Sequence, residues 1–195
     1  MSKRLLDFDY DLFHKINHDW TNPFFDRVMP YVREAIVWVP LYVFLLVFGW
    51  VNYGKRAYFW ILAAIATAVL TNFISSDIIK VNFYRDRPCR DTFLDPVANL
   101  LINRCPISSS FTSSHAVNHF GLAMFLYQTM KFTVKRAWLF FIWAFIIIYA
   151  QVYVGVHYPV DVIFGALIGC TIGYTTSSVY HYRLGVLPLK TAEPS

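Results

Sequence analysis

Five stretches of this chain are each apolar enough to fill the hydrocarbon core of a bilayer, and a soluble domain of this size has no interior for that many. A bilayer core about 30 Å thick takes roughly 20 mostly apolar residues per helix. Residues 36–53, 57–79, 114–130, 137–156 and 160–182 fit that description. Only 15% of the residues are charged, against about 25% in an ordinary soluble domain. Inside hydrocarbon each backbone N–H and C=O must be satisfied within its own helix. The expected fold class is therefore all-α: a polytopic membrane helix bundle of about five transmembrane helices. One domain is expected over 1–195. Within it, 1–35 form an interfacial N-terminal segment, 36–182 the transmembrane core and 183–195 a tail. The first residues mix Lys3 and Arg4 with Asp7, Asp9 and Asp11, and contain no apolar run, so no cleavable signal peptide is expected.

Ahead of the first apolar stretch, Phe8, Leu12, Phe13 and Ile16 recur near helical spacing, with Asp7, Asp11 and Lys15 between them. This pattern fits an amphipathic helix in the membrane interface, and equally a segment packed against the bundle. Asn22-Pro23 ends it, and a second short amphipathic piece covers residues 24–31. Gly165, Gly169 and Gly173 fall every fourth residue. They let two helix backbones approach closely, either inside the bundle or across a homodimer. The net charge of +5 is scattered between apolar runs, which argues against nucleic acid and for anionic membrane lipids as partners.

Polar residues supply the functional clue. The end of the second stretch, the start of the third and the turn between the fourth and fifth all fall on one membrane face. Ionisable residues at such positions mark a functional site by default. Lys80 and Arg87-Pro88 place an ammonium and a forked guanidinium beyond a membrane helix, a pair suited to phosphate or to lipid headgroups. Thr112, Ser113 and Ser114 precede a helix with His115 in its first turn, where free N–H groups and the helix dipole favour an anion. The same residues also read as a helix cap. His119 lies one turn further on. A metal pair with His115 would lack both the Glu of H-E-x-x-H and a third ligand, so no metal is expected and His119 reads as a hydrogen-bonded interior residue. Finally, His157 stands before Pro159 at the entrance of the last helix, with Asp161 one turn inside. A carboxylate on one imidazole nitrogen fixes the tautomer and leaves the other free to attack.

Together these clusters resemble the three motifs of the type 2 phosphatidic acid phosphatase (PAP2) superfamily: K-x6-R-P, P-S-G-H and S-R-x5-H-x3-D. Lys80 with Arg87-Pro88 matches the first in full. Thr112-Ser113-Ser114-His115 stands at the second, with Ser114 in place of glycine. Ala150-Gln151, His157 and Asp161 stand at the third, with Gln151 in place of a phosphate-binding arginine. The motifs cover residues 80–161, and the helical context extends to about residue 182.

The resemblance implies a membrane lipid phosphatase that acts on a lipid phosphate or diphosphate through a phosphohistidine, with no metal or other cofactor. His157 would attack phosphorus, Asp161 would orient it, and His115 would protonate the leaving oxygen and then activate water. Lys80, Arg87, Ser113, the Ser114 N–H and Gln151 would hold the phosphoryl oxygens. Undecaprenyl diphosphate, phosphatidylglycerophosphate and lipid A are all compatible substrates. Gln151 can donate hydrogen bonds but neutralises no charge, so Arg85 or Arg90 is expected to make up the deficit. The alternatives are a non-catalytic lipid-phosphate binder or transporter on the same scaffold, favoured by Gln151, and a lipid phosphotransferase that uses a second acceptor in place of water.

Cys89 and Cys105 lie in the polar loop beside the site. A disulfide across such a loop contributes roughly 3 kcal/mol and persists in an oxidising compartment. The opposite face carries Lys55, Arg56, Lys131, Lys135, Arg136, Arg183 and Lys190, with Glu193 its one acidic residue. A cytoplasmic back face is compatible with that pattern. The expected setting is a bacterial inner membrane with the site facing the periplasm.

Overall fold

A computed structural model of the chain describes residues 3–92, 94 and 96–185. Most of the expected tail, with Lys190 and Glu193, lies outside the described residues. The regular elements among the described residues are all helical, with no strand.

α1 (Lys3–His14) runs into a π-helical turn, and α2 (Pro23–Val32) follows. Asn22 ends the first and starts the second: its side chain accepts the backbone N–H groups of Phe24 and Phe25, the usual task of a helix N-cap. The segment packs against the bundle along one face. Phe13, Ile16 and Met29 join a buried cluster with Tyr153 and Tyr158, while Phe8, Trp20, Phe24 and Tyr31 stay exposed.

Each of the five apolar stretches contains a helix. They are α3 (Val39–Tyr53), α4 (Arg56–Phe73), α6 (Ser114–Met130), α7 (Leu139–Tyr153) and α8 (Pro159–Leu184). Three continuous segments, Ala35–Tyr53, Arg56–Asn82 and Pro159–Leu184, are long and apolar enough to cross a membrane. α7 is shorter than the stretch read from the sequence because the chain turns at Val154-Gly155. Gly155 takes a positive φ of 83°, and a Cβ there would lie 2.7 Å from the Asn99 carbonyl oxygen, so only glycine suits that turn. Outward faces carry Phe44, Trp50, Val69, Phe145 and Leu167, all exposed, as lipid-facing positions require.

α6 is the central helix, packed against α4, α7 and α8. The glycine stripe of α8 explains its approach to α6. A Cβ on Gly169 would collide with the Val117 carbonyl oxygen, and one on Gly173 with that of Gly121. The stripe is thus used within the bundle. α4 continues through a π-helical stretch, Ile74–Ile79, into the short α5 (Lys80–Asn82). That wide turn directly precedes Lys80.

Candidate active site

The site is built around the α7–α8 turn. Pro159 occupies the first turn of α8, where its missing N–H costs nothing. Asp161, one turn in, accepts the Tyr158 N–H at 3.1 Å and so closes the helix entrance. His157 precedes that entrance and is 2% exposed.

Three more groups converge on Asp161. Arg85 donates to its Oδ1 at 2.7 Å, the Ser110 hydroxyl donates to its Oδ2, and the His157 Nδ1 approaches to 3.8 Å. The direct His157–Asp161 hydrogen bond expected from the sequence is therefore replaced by a bridge. Ser110 Oγ lies 3.4 Å from Nδ1 and touches the carboxylate as well.

Arg87 fixes the tautomer. Its Nη1 sits 3.0 Å from His157 Nε2, and a guanidinium can only donate. Nε2 must then carry the lone pair, and Nδ1 the proton that faces Ser110 and Asp161. Arg87 is itself immobilised: Nε donates to Ser108 O, Nη1 to Val156 O, and Nη2 to Ser108 Oγ and Ser109 O. Burial lowers its pKa to about 10, which leaves it charged at neutral pH. Burial also pushes the His157 imidazole down to about 4, with the Arg87 and Lys80 charges acting in the same direction against Asp161. At neutral pH, His157 is an uncharged base with its lone pair held beside a cation.

At the start of α6, Ser113 caps the helix. Its hydroxyl accepts the Ala116 N–H at 3.4 Å, while its own N–H donates to the Asp161 carbonyl oxygen at 3.3 Å. The Ser114 hydroxyl pairs with that of Ser76, and its backbone N–H remains at the helix N-terminus. His115 is within electrostatic reach of His157, Lys80 and Arg33. His119 accepts no such role: its Nδ1 is bonded to the His115 carbonyl oxygen at 2.8 Å and its ring packs on Trp143. Among the described residues no group of three metal-ligating side chains forms.

Three contributors were hidden in the sequence. Asp9 of α1 is fully buried; it pairs with Arg85 at 2.6 Å and accepts the Val160 N–H at 2.8 Å. Burial opposes the Arg85 charge, but the Asp9 and Asp161 carboxylates outweigh it and raise its pKa. Arg85 is thus the counter-ion of two carboxylates and does not compensate for Gln151. Arg90 does not either, since it donates to the Ile107 and Cys105 carbonyl oxygens at the surface. Ser110 is the bridge described above. Arg33, at the end of α2, donates from Nε to Gln151 Oε1 at 3.3 Å. For Asp9 a signal existed: it precedes Phe13 by one helical turn, on the apolar face of α1.

Cys89 and Cys105 are joined in a disulfide, with Cα atoms 6.0 Å apart. It ties together the two ends of the loop that carries Arg87 toward Ser108–Ser110.

Comparison with known proteins gives a consistent picture. Residues 57–184 match the family model of the PAP2 superfamily. A lipid A 4'-phosphatase of Bacteroides thetaiotaomicron is 30% identical over 89% of this chain and 77% of its own. An undecaprenyl-diphosphatase of Sulfolobus acidocaldarius is 29% identical over 89% of this chain and 79% of its own. The crystal structure of Aquifex aeolicus LpxE superposes with a TM-score of 0.64 at 28% identity, covering 88% of this chain and 95% of that one. The Bacillus subtilis PAP2-type phosphatidylglycerolphosphate phosphatase shares the fold, with a TM-score of 0.62 at 19% identity over 94% and 89% of the two chains.

Proposed function

The chain belongs to the PAP2 superfamily and is a membrane lipid phosphatase, and we propose that it works through a phosphohistidine on His157. The arrangement of His157 carries this reading. Nε2 holds its lone pair toward a buried guanidinium, and Nδ1 is tied through Ser110 to a carboxylate neutralised from behind. A phosphoryl oxygen that takes over the Arg87 Nη1–H frees the Nε2 lone pair to attack the phosphorus beside it.

In the first step Nε2 forms a bond to phosphorus, and the bond to the lipid oxygen breaks in line. Asp161 stabilises the imidazolium-like state through Ser110. His115 donates a proton to the departing lipid oxygen. Water, deprotonated by His115, then attacks the phosphohistidine, releases phosphate and restores His157. Lys80, Arg87, the Ser113–Ser114 helix terminus and the Gln151 amide hold the non-bridging oxygens. Phosphoryl transfer asks chiefly for positioning and charge neutralisation, and these fixed groups provide both.

A lipid A-type glycolipid phosphate is the first substrate we propose, supported by the relatives that match nearly the whole chain. A polyprenyl diphosphate is the second. The disulfide supports placing the site outside the cytoplasm, in the periplasm of a bacterial inner membrane.

The test is phosphate release by detergent-purified protein from lipid A, undecaprenyl diphosphate, phosphatidylglycerophosphate and phosphatidic acid, each with EDTA. Release should persist in EDTA and fall about 10⁴-fold or more in His157→Ala. A rapid quench in alkaline SDS with ³²P-labelled lipid should trap alkali-stable, acid-labile label on the wild type alone. Unchanged turnover by His157→Ala would overturn the mechanism.

A further inference from the structure

Gln151 stands where the third motif of the family carries its phosphate-binding arginine; it is fully buried, and its Nε2 has no hydrogen-bond partner among the described residues. An unpaired buried amide donor costs about 1–3 kcal/mol, so its retention calls for an acceptor that arrives from elsewhere. The other end of the same amide is occupied, because Oε1 takes the Arg33 Nε–H. That contact orients the amide: with oxygen toward Arg33, the NH2 group faces away from it.

Arg33 has little else to hold it. Its side chain is 11% exposed, and its ion-pair partner is Glu34, at 3.1 Å from Nη1 and itself half-exposed. Nη2 has no hydrogen-bond partner among the described residues. A guanidinium with an uncommitted, accessible nitrogen can accept a further anion as a charge-assisted partner. Its charge is felt at Arg87, whose pKa it helps to lower, so it adds to the cationic field of the reaction centre. Arg33 also lines an open cavity of about 770 Å³ whose charged lining mixes Arg27 and Arg104 with Asp26 and Glu34. Arg85 is committed to two carboxylates and Arg90 to surface carbonyls.

We propose that Arg33, delivered from the end of α2, is the third cation of the phosphoryl site, and that Arg33 and the Gln151 Nε2 bind different non-bridging oxygens of one phosphoryl group. A transition state whose charge is spread over three equatorial oxygens then meets Lys80, Arg87 and Arg33. The charge that the third motif lacks at position 151 is supplied from outside that motif, through a side chain long enough to reach Gln151. This inference rests on the phosphatase reading above, but its failure is distinguishable from failure of that reading.

The experiment compares Arg33→Gln, Arg33→Lys and the double variant Arg33→Gln/Gln151→Arg with wild type and His157→Ala. It uses full-length protein in detergent, with the best lipid from the panel and orthovanadate as the phosphoryl probe. Loss of one charged donor should lower kcat/KM about 100-fold in Arg33→Gln and weaken vanadate inhibition in parallel. Moving the charge in the double variant should restore at least about tenfold of the loss, an outcome that a purely structural role for Arg33 does not give. Arg33→Gln activity within twofold of wild type, with His157→Ala inactive, overturns the proposal and leaves the phosphatase reading intact. So does a folded double variant no better than Arg33→Gln. If Arg33→Gln fails to fold, Arg33→Lys decides: a weaker vanadate inhibition at unchanged thermal stability supports the proposal, and unchanged inhibition overturns it. Activity in His157→Ala would instead sink the underlying mechanism.

Discussion

The two ends of the bundle are held together by different physics. At the end that carries His157, the contacts among Asp9, Arg85, Asp161, Ser110 and Arg87 are hydrogen bonds and ion pairs between groups remote in the chain. At the opposite end, Leu45, Tyr53, Trp60, Phe125, Leu126, Met130 and Tyr180 form an apolar cluster. Its buried polar link is the Trp60 Nε1–H to the Thr129 hydroxyl at 2.9 Å. Between the ends, α6 and α8 touch backbone to backbone along the glycine stripe. The polar end orients a few atoms to within hydrogen-bond tolerance, a condition for chemistry. The apolar end and the stripe fill space, a condition for the bundle to exist. Substitutions in the two regions should therefore separate activity from stability.

Asp161→Asn tests the polar end and carries the largest expected effect here. It removes the charge behind the Ser110–His157 bridge and leaves Arg85 with Asp9 alone. By analogy with other orienting carboxylates, kcat should fall about 10³- to 10⁴-fold, while the thermal midpoint in detergent moves little. A variant that unfolds while its folded fraction stays active would break the division. Gly169→Ala is the converse. Its new Cβ meets the Val117 carbonyl oxygen, backbone that cannot retreat, so stability should fall by about 3 kcal/mol. Per folded molecule, turnover measured well below the midpoint should stay within a few-fold of wild type.

The smallest expected effect is a pH slope. His157 titrates near 4 in the folded protein and at the ordinary 6.5 when unfolded. The unfolded chain therefore binds its proton first as the pH falls. Stability attributable to His157 is intact above pH 6.5 and declines as pH drops toward 4, by about 2 kcal/mol at pH 5. Thermal midpoints at pH 7.5 and pH 5 should show a smaller acid-induced drop in His157→Gln than in wild type. Equal drops would show that His157 is not held neutral by its surroundings.

The apolar end was legible in the sequence because helix length and hydropathy are local properties. Each stretch was found, and errors were confined to ends such as Val154–Val156, where a glycine turn cuts α7 short. The glycine stripe was legible as a close contact, but only the structure could choose α6 as its partner. At the polar end, the approach of Asp161 to His157 was legible because four positions span one turn at a helix entrance. Arg33, Ser110 and Asp9 were not, because their roles depend on which segments meet. Arg33 reaches Gln151 across 118 positions, and no periodicity records that. Arg85 was read as a spare cation because a sequence shows a charge without its partners.

Asp9 has one further consequence, for the order in which the protein can be made. Its two partners, Arg85 and the Val160 N–H, are 76 and 151 residues further along the chain. At about 5–20 residues per second, the ribosome completes the first helix on the order of ten seconds before the start of α8 exists to receive it. Until α8 emerges, the clasp of Asp9 and Asp161 on Arg85 cannot close. A residue made early thus takes its place only when one made late arrives, and the catalytic geometry waits for α8.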